Sequence, residues 1–272
     1  MHKKIRVIAT TSAAVVLAAG ALAGLGPSAA EAHGTAGHKK PTVVLVHGAF
    51  ADSSGWNDVV RRLQSDGYPV VSVANPLRGV AYDAQAVKSV VDSIGGPAVL
   101  VGHSYGGSVI TEAASGDKDV KALVYVAAFL PETGETAAGL SGEFPGSTLS
   151  ATLKQVALPD GGTDLYIDQA KFPQRFAADV PARESKLFAV SQRPITAAAL
   201  NEAEVGTPAW KTVPSYSIIP TGDKNIPPAA QYWMASRAHA EVTTVKGASH
   251  LVLASQPEKT ASVIEKAARE NG

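Results

Sequence analysis

A ten-residue stretch, 98–107, constrains the fold of this chain more than any other. Four apolar residues at its start indicate a buried strand, a Gly-x-Ser-x-Gly turn centred on Ser104 follows, and a helix-like segment comes next. A turn this tight needs small neighbours, here Gly102, Gly106 and Gly107, and strains its central residue. The pattern predicts a serine nucleophile at the carboxyl end of a sheet. A glycine-rich loop with an incidental serine is the alternative, but the flanking strand and helix argue against it.

Further apolar segments resemble strands, and helix-like segments separate them. The six predicted strands span residues 42–46, 70–73, 98–101, 122–128, 216–219 and 242–245. Strands that alternate with helices form a mostly parallel sheet with both faces covered. The sequence therefore predicts an α/β fold of about six mostly parallel strands flanked by helices.

The segment from about residue 130 to residue 214 breaks this alternation. Gly, Pro, Ser and Thr are frequent in it, and only short helical pieces such as 182–190 can be recognised. A stretch of this length is too long for an ordinary connection. Because open α/β sheets bind ligands at the carboxyl ends of their strands, we expect this segment to form a lid insertion there.

The first 32 residues are predicted to be a secretory signal peptide. The start is basic, an apolar run covers residues 13–25, and Ala30-Glu31-Ala32 forms a small-x-small cleavage site. A membrane anchor is the alternative, but the run is shorter than the roughly 20 residues of a stable span and contains two glycines. We expect cleavage after Ala32, secretion to the extracellular or periplasmic side, and a mature domain of residues 33–272 with no stable membrane anchor.

Composition narrows the chemistry further. The formal net charge is zero, so no basic excess indicates a nucleic-acid partner. The chain has no cysteine, which excludes disulfides, thiolate metal sites and a cysteine nucleophile. With 272 residues and 45% hydrophobic content, the chain is large enough for one sizeable core.

A serine hydroxyl needs a base to take its proton and a third group to orient that base. His250 is the best candidate base, because it follows the last predicted strand and therefore lies at the same sheet edge as Ser104. An ordinary surface histidine is the alternative. His33 and His38 lie in the polar leader, and His239 follows a helix near the opposite edge, so we discount all three.

The orienting acid should also follow a strand. Asp223 does so directly after the strand at 216–219, which gives the chain order serine, aspartate, histidine. Glu132, which follows the strand at 122–128, is the competing acid. A turn-forming aspartate beside glycine is a further interpretation of Asp223. The residues favour Asp223 and leave Glu132 open.

Acyl transfer also needs hydrogen-bond donors for the developing oxyanion, each worth roughly 3 kcal/mol in the transition state. The backbone N–H of Tyr105, next to the nucleophile, is one candidate. The N–H of Ala49, in the loop after the first strand, is the other, and Gly48 lets this loop turn towards the site. For His47 we favour a structural role within the loop over a catalytic one.

Several motifs together resemble the α/β-hydrolase superfamily. They are 43–50, Trp56, 101–107, Thr221-Gly222-Asp223 and Gly247-Ala248-Ser249-His250. Within it the chain is most similar to the branch of small esterases that includes plant methylesterases, hydroxynitrile lyases and bacterial esterase relatives. The resemblance covers nearly the whole mature chain outside the lid. It implies the α/β-hydrolase fold, a helical lid between the fourth and fifth strands, and a catalytic triad of Ser104, His250 and Asp223.

Lyases of that branch typically carry a threonine after the first-loop histidine and a lysine after the catalytic histidine. This chain has Gly48 and Leu251 at those positions, which favours hydrolysis over carbon–carbon cleavage. Haloperoxidases without cofactors and hormone-sensing hydrolases share the scaffold. A lyase, a perhydrolase or a ligand-binding sensor is therefore the alternative function.

The sequence thus predicts a secreted serine carboxylesterase that needs no metal and no cofactor. The expected substrate is a small-molecule ester, apolar or aromatic, and the oligomeric state is left open. Aromatic residues of the lid and of its surroundings offer apolar surface, namely Phe172, Phe176, Phe188 and Trp210 with Phe50 and Trp233. Of these, Phe50, Trp210 and Trp233 are the candidates for the substrate pocket. Packing in the core is the favoured role for any single one of them, because large apolar side chains are usually buried.

Overall fold

The computed structural model describes residues 40–272, so the predicted signal peptide lies outside the described residues. The strands are β1 (Thr42–Val46), β2 (Val70–Val73), β3 (Ala98–His103), β4 (Val120–Val126), β5 (Leu153–Ala157), β6 (Thr163–Ile167), β7 (Ile195–Thr196), β8 (Ser215–Pro220) and β9 (Glu241–Val245). Six of them form a sheet in the order β2-β1-β3-β4-β8-β9, and every neighbouring pair is parallel. The predicted six-stranded parallel core is confirmed.

Helices flank this sheet, and further helices lie in the segment between β4 and β8. The helices are α1 (Asn57–Ser65), α2 (Val80–Ile94), α3 (Gly106–Ala113), α4 (Ala137–Glu143), α5 (Phe172–Arg175), α6 (Ala182–Ser191), α7 (Ala197–Asn201), α8 (Pro228–Arg237), α9 (Val252–Ser255) and α10 (Pro257–Asn271). α1 packs against α10, and α2 packs against α3. No helix of residues 40–272 combines the length and apolar character that crossing a membrane requires.

The central strands bury nearly all of their side chains, as strands covered on both faces must. The edge strand β9 leaves most of its residues exposed or half-buried. From β1 the chain goes outward to β2 and then returns to β3 on the other side of β1. This reversal of strand order opens a crevice at the carboxyl ends of β1 and β3, where doubly wound sheets bind their ligands.

A cap, defined here as residues 127–214, connects β4 to β8. It contains α4 to α7, as the expectation of a helical insertion requires, and also a three-stranded antiparallel sheet in the order β5-β6-β7. This sheet was not predicted from the sequence. Its strands are short, and β5 is mostly exposed, so they lack the clear alternation of apolar and polar residues that identifies a half-buried strand.

Candidate active site

Ser104 lies in the turn between β3 and α3. Its φ angle of 55° is in the left-handed region that residues with a side chain rarely adopt. Its carbonyl oxygen accepts the N–H groups of Gly107 at 3.0 Å and Phe129 at 3.2 Å, which hold the turn in place. A Cβ on Gly106 would lie 2.6 Å from the carbonyl oxygen of Val46 in β1, so only glycine allows this approach. The strained turn predicted from the sequence is present.

The side chains of Ser104, His250 and Asp223 form one hydrogen-bonded chain. His250 Nδ1 lies 2.7 Å from Asp223 Oδ2, and His250 Nε2 lies 2.9 Å from Ser104 Oγ. Because an ionised carboxylate only accepts hydrogen bonds, Nδ1 carries the proton and Nε2 is free to accept from the serine hydroxyl. All three residues are buried. The arrangement can deprotonate Ser104 when an electrophile approaches it.

The carboxylate of Asp223 is held by its own loop. Its Oδ1 accepts the N–H of Asn225 at 2.7 Å and that of Ile226 at 3.1 Å. Its Oδ2 also accepts from Gln231 Nε2 at 2.8 Å. These hydrogen bonds orient the oxygen that faces His250.

Glu132, the competing acid, lies elsewhere. Its carboxylate binds Lys211 Nζ at 2.7 Å and the N–H of Thr133 at 3.0 Å. The hydrogen bond from Lys211 lowers the pKa of Glu132. The structure therefore brings Asp223 to His250 and leaves Glu132 in a surface ion pair.

The loop after β1 packs closely against the turn that contains Ser104. A Cβ on Gly48 would lie 2.6 Å from Ser104 Cβ and 3.2 Å from the backbone nitrogen of Tyr105. None of the hydrogen bonds within residues 40–272 uses the N–H of Ala49 or of Tyr105. The N–H of Phe50, by contrast, donates to a carbonyl oxygen of the cap. The two predicted oxyanion donors thus remain available beside Ser104.

His47 supports this loop through both ring nitrogens. Its Nε2 accepts the N–H of Asn75 at 3.0 Å, so its Nδ1 carries the proton and donates to the carbonyl oxygen of Gly48 at 3.0 Å. Asn75 Nδ2 in turn donates to the carbonyl oxygen of His47 at 2.9 Å. Burial lowers the pKa of His47 and keeps the ring neutral. These contacts agree with the structural role favoured from the sequence.

A second histidine, His103, supports the candidate base, and the sequence analysis assigned it no role. It is completely buried, and its Nε2 donates to the carbonyl oxygen of His250 at 3.1 Å. The two ring centroids are 4.9 Å apart. Burial holds the pKa of His103 well below the ordinary histidine value, so this ring stays neutral. Only its position before Ser104, at the end of a buried strand, could have indicated this contact.

A cavity of about 410 Å³ opens beside Ser104 and His250. Its core wall includes Ala49, Phe50, Asn225 and Ile226, and its cap wall includes Phe129, Phe144, Leu149, Leu153, Phe176 and Leu200. Within the described part of the chain, no Asp, Glu, Lys or Arg lines it. A cavity of this size and polarity is typical of a site for a small apolar molecule.

Of the three predicted pocket residues, the structure places Phe50 alone in this cavity. Trp210 is buried where the cap meets the core, and its Nε1 donates to the carbonyl oxygen of Pro131 at 2.8 Å. Trp233 is 39% exposed on α8, and Arg237 lies 4.4 Å above its ring. Neither Trp210 nor Trp233 is among the residues that line the cavity beside Ser104, so both predictions of a pocket residue were wrong. Phe176, one of the aromatic lid residues expected to offer apolar surface, does line the cavity. The other cap residues of the wall were missed, since nothing in the loose pattern of the cap shows which apolar side chains point inward.

Comparison with known proteins places these features in a family. The model of the alpha/beta hydrolase family matches residues 43–263, which cover the six-stranded core, the cap and the three hydrogen-bonded side chains. A protein of Phoma sp. named as a hydrolase is 32% identical over 112 residues, which cover 36% of this chain and 46% of that protein. A chloroplastic protein of Arabidopsis thaliana named as a methylesterase is 25% identical over 247 residues, which cover 83% of this chain and 63% of that protein. The chain thus matches less than two thirds of the length of either relative.

The solved structure of polyneuridine aldehyde esterase superposes on this chain with a TM-score of 0.72. The sequence identity is 19%, and the match covers 84% of this chain and 98% of that one. At this identity the likeness shows the fold alone. Together with the family match, it confirms the fold that the sequence motifs led us to expect.

Proposed function

This chain belongs to the alpha/beta hydrolase family, and on that premise we propose that it hydrolyses carboxylic esters through an acyl-enzyme on Ser104. One observation carries the proposal: Asp223, His250 and Ser104 are hydrogen-bonded in series beside an apolar cavity. The names of an esterase and a methylesterase among similar proteins support the same reaction class.

In the first half of the proposed reaction, Ser104 Oγ attacks the ester carbonyl while His250 Nε2 takes its proton. Asp223 accepts a hydrogen bond from the Nδ1–H of His250 and stabilises the imidazolium that forms. The N–H groups of Ala49 and Tyr105 donate to the oxyanion of the tetrahedral intermediate. When this intermediate collapses, His250 returns the proton to the leaving alcohol, and the acyl group stays on Ser104.

In the second half, water replaces the alcohol. His250 Nε2 takes a proton from the water, whose oxygen attacks the acyl carbonyl, and the oxyanion forms at the same two N–H groups. Collapse of this intermediate releases the carboxylic acid and returns the proton to Ser104 Oγ. The cycle consumes one ester and one water, yields one acid and one alcohol, and uses no metal or cofactor.

We propose an uncharged, largely apolar ester of modest size as the substrate. The wall without Asp, Glu, Lys or Arg supports this choice, because a charged group in the cavity would lose its hydration without gaining an ion pair. We expect a neutral 4-nitrophenyl alkanoate to be cleaved with at least tenfold higher kcat/KM than the 4-nitrophenyl monoester of a dicarboxylic acid of equal length. Equal values for the two esters would contradict this substrate class.

The test of the reaction is the Ser104→Ala variant assayed with neutral 4-nitrophenyl esters. We expect kcat to fall by at least about 1000-fold while the circular dichroism spectrum stays that of the native chain. Multiple turnovers by the unsubstituted protein would also separate an enzyme from a sensor, which is labelled once and does not recycle. Ester cleavage that persists in Ser104→Ala would disprove the mechanism.

We also propose that the chain is secreted. The predicted signal peptide supports this proposal, through its basic start, its apolar run and its cleavage site at Ala32. Expression with the natural amino terminus, followed by amino-terminal sequencing of the exported protein, should give a chain that begins at His33. A full-length chain retained inside the cells would contradict secretion.

A further inference from the structure

One short piece of the cap lies directly against the two loops that carry His250 and Asp223. We call residues 175–179, which begin at the end of α5, the clamp segment. It contacts the residue before His250, the ring of His250 itself and the residue after it. Phe176 of this segment also lines the cavity beside Ser104.

The contacts with the base loop are specific. Asp179 Oδ1 accepts the N–H of Ser249 at 3.0 Å and also accepts the hydroxyl of Ser249. The carbonyl oxygen of Phe176 accepts the N–H of Leu251 at 3.1 Å. The ring of Phe176 lies edge-on to that of His250, with centroids 4.8 Å apart. Both backbone neighbours of the imidazole are therefore fixed by the cap.

The clamp segment also reaches the acid loop. The carbonyl oxygen of Arg175 accepts Asn225 Nδ2 at 2.9 Å. The backbone N–H of Asn225 is one of the groups that hold Asp223 Oδ1. The same five residues of the cap thus contact the loops of both partners of Ser104.

We propose that the clamp segment positions the base, and that Asp179 is its main positioning residue. The proposal rests on the function proposed above. The core holds the carbonyl oxygen of His250 through His103, and the clamp segment fixes Ser249 and Leu251 on either side. The imidazole can bridge Asp223 and Ser104 only if its backbone stays in place. A displacement of about 1 Å in such a group can cost about 100-fold in rate.

Asp179 suits a test because its own side chain makes the contact and because it is exposed, so replacing it leaves no cavity in the core. In Asp179→Ala we expect kcat to fall by about 10-fold to 100-fold while KM changes by less than about twofold. Asp179→Asn keeps the Oδ1 acceptor and should lose less than about threefold. Asp179→Glu keeps the charge but moves the acceptor by one methylene, and should fall between the two.

Asp168→Ala is the matched control. Asp168 is another carboxylate of the cap that accepts a backbone N–H, from Ala170 at 2.9 Å, but its bonds reach neither the base loop nor the acid loop. We expect wild-type kcat in this variant. Equal losses in Asp179→Ala and Asp168→Ala would show a general effect of the cap and overturn the proposal, as would equal losses in Asp179→Asn and Asp179→Ala.

A measurement without substrate separates this inference from the proposed function. The low-field proton resonance of His250 Nδ1–H reports the hydrogen bond to Asp223 and needs no ester. It should weaken or exchange faster in Asp179→Ala and stay as in the wild type in Asp179→Asn and Asp168→Ala. An unchanged resonance in folded Asp179→Ala would overturn the clamp even if the protein cleaves esters. A lost resonance in a protein that cleaves no ester would support the clamp and contradict only the proposed function.

Discussion

The core sheet and the cap contribute to the candidate site in different ways. The core supplies the candidate reactive groups, namely Ser104 after β3, Asp223 after β8 and His250 after β9, together with two backbone N–H groups that no hydrogen bond within residues 40–272 uses. The cap supplies much of the cavity wall and the contacts around the base. The positions of the candidate reactive groups thus depend on backbone geometry set by parallel strands. The shape of the cavity depends instead on side chains of short, irregular elements.

The two regions are also joined firmly. Arg78, in a core loop, binds Asp164 of β6 at 2.7 Å. Arg237 of α8 binds both carboxylate oxygens of Glu135 at 2.7 Å. Bidentate pairs of this kind have well-defined geometry.

Because the core holds the candidate reactive groups and the cap lines much of the cavity, substitutions in the core should lower the rate of the chemical step. Substitutions in the cap should change substrate binding or the position of the base.

The largest effect should come from the core carboxylate. Asp223→Asn offers an amide where the Nδ1–H of His250 needs an acceptor with negative charge, so we expect kcat to fall by about 10,000-fold. Glu132→Gln is the control, because it removes only a surface ion pair, and kcat should change by less than about twofold. Steady-state kinetics of both variants decide the acid. A large loss in Glu132→Gln with none in Asp223→Asn would reverse the assignment.

A smaller but still large effect should follow from adding one methyl group beside the nucleophile. In Gly48→Ala the new Cβ would overlap Ser104 Cβ, so the turn must shift, and kcat should fall by about 100-fold. Gly96→Ala is the matched control, since a Cβ there meets nothing within 4 Å. Thermal unfolding of both variants checks that the fold is kept. Wild-type kcat in Gly48→Ala would show that the two loops are not held together.

The cap wall should affect binding more than the chemical step. Leu149→Ala removes apolar surface from the cavity, and the lost contact should lower kcat/KM for a long-chain ester by about tenfold. Leu187→Ala makes the same change on α6, where the side chain is 61% exposed, and should leave kcat/KM unchanged. Similar values for the two variants would mean that the substrate does not use this wall.

We expect the smallest effect on activity at Glu204, which lies in the last part of the cap before β8. This carboxyl is buried, and both of its oxygens lack a hydrogen-bond partner within the described residues. Burial, with the neighbouring carboxyls of Glu112 and Glu202, raises its pKa to about 9. The folded state therefore binds the proton more tightly than the unfolded chain does. The proton on Glu204 therefore stabilises the folded state, and this stabilisation is fully present below about pH 4.5 and is lost as the pH rises towards 9.

Glu204→Gln should remove that pH dependence. We expect the variant to be about 2 kcal/mol more stable than the wild type at pH 8 and similar at pH 4, with unchanged kcat. Denaturant unfolding at the two pH values measures the difference. Glu143→Gln, at an exposed position of α4, is the control and should show no difference at either pH. A wild-type pH dependence in Glu204→Gln would contradict the raised pKa.

The sequence predicted the core better than the cap for a physical reason. In β1, β3 and β4 the apolar runs are continuous, because both faces of these strands are buried, and such runs are visible locally. The strand pattern also indicated which residues follow a carboxyl end, and this selected Ser104 and His250 and favoured Asp223 over Glu132. For the cavity wall, by contrast, Trp210 of the cap and Trp233 of α8 looked as suitable as Phe50 did, because the sequence does not show in which direction a large apolar side chain points.

By itself, the sequence determined the order of the core strands and helices, the glycine-dependent turn at Ser104 and the kinds of reactive groups that follow the core strands. These features depend on neighbouring residues, so they can be recognised along the chain. Only the tertiary structure decided that Asp223 rather than Glu132 meets His250, which side chains enclose the cavity, and that Asp179 holds the residue before the base. Contacts of this kind join residues that are far apart in the chain, and the one between Ser104 and His250 spans 146 positions. Packing of the whole domain sets them, so they cannot be recognised from neighbouring residues.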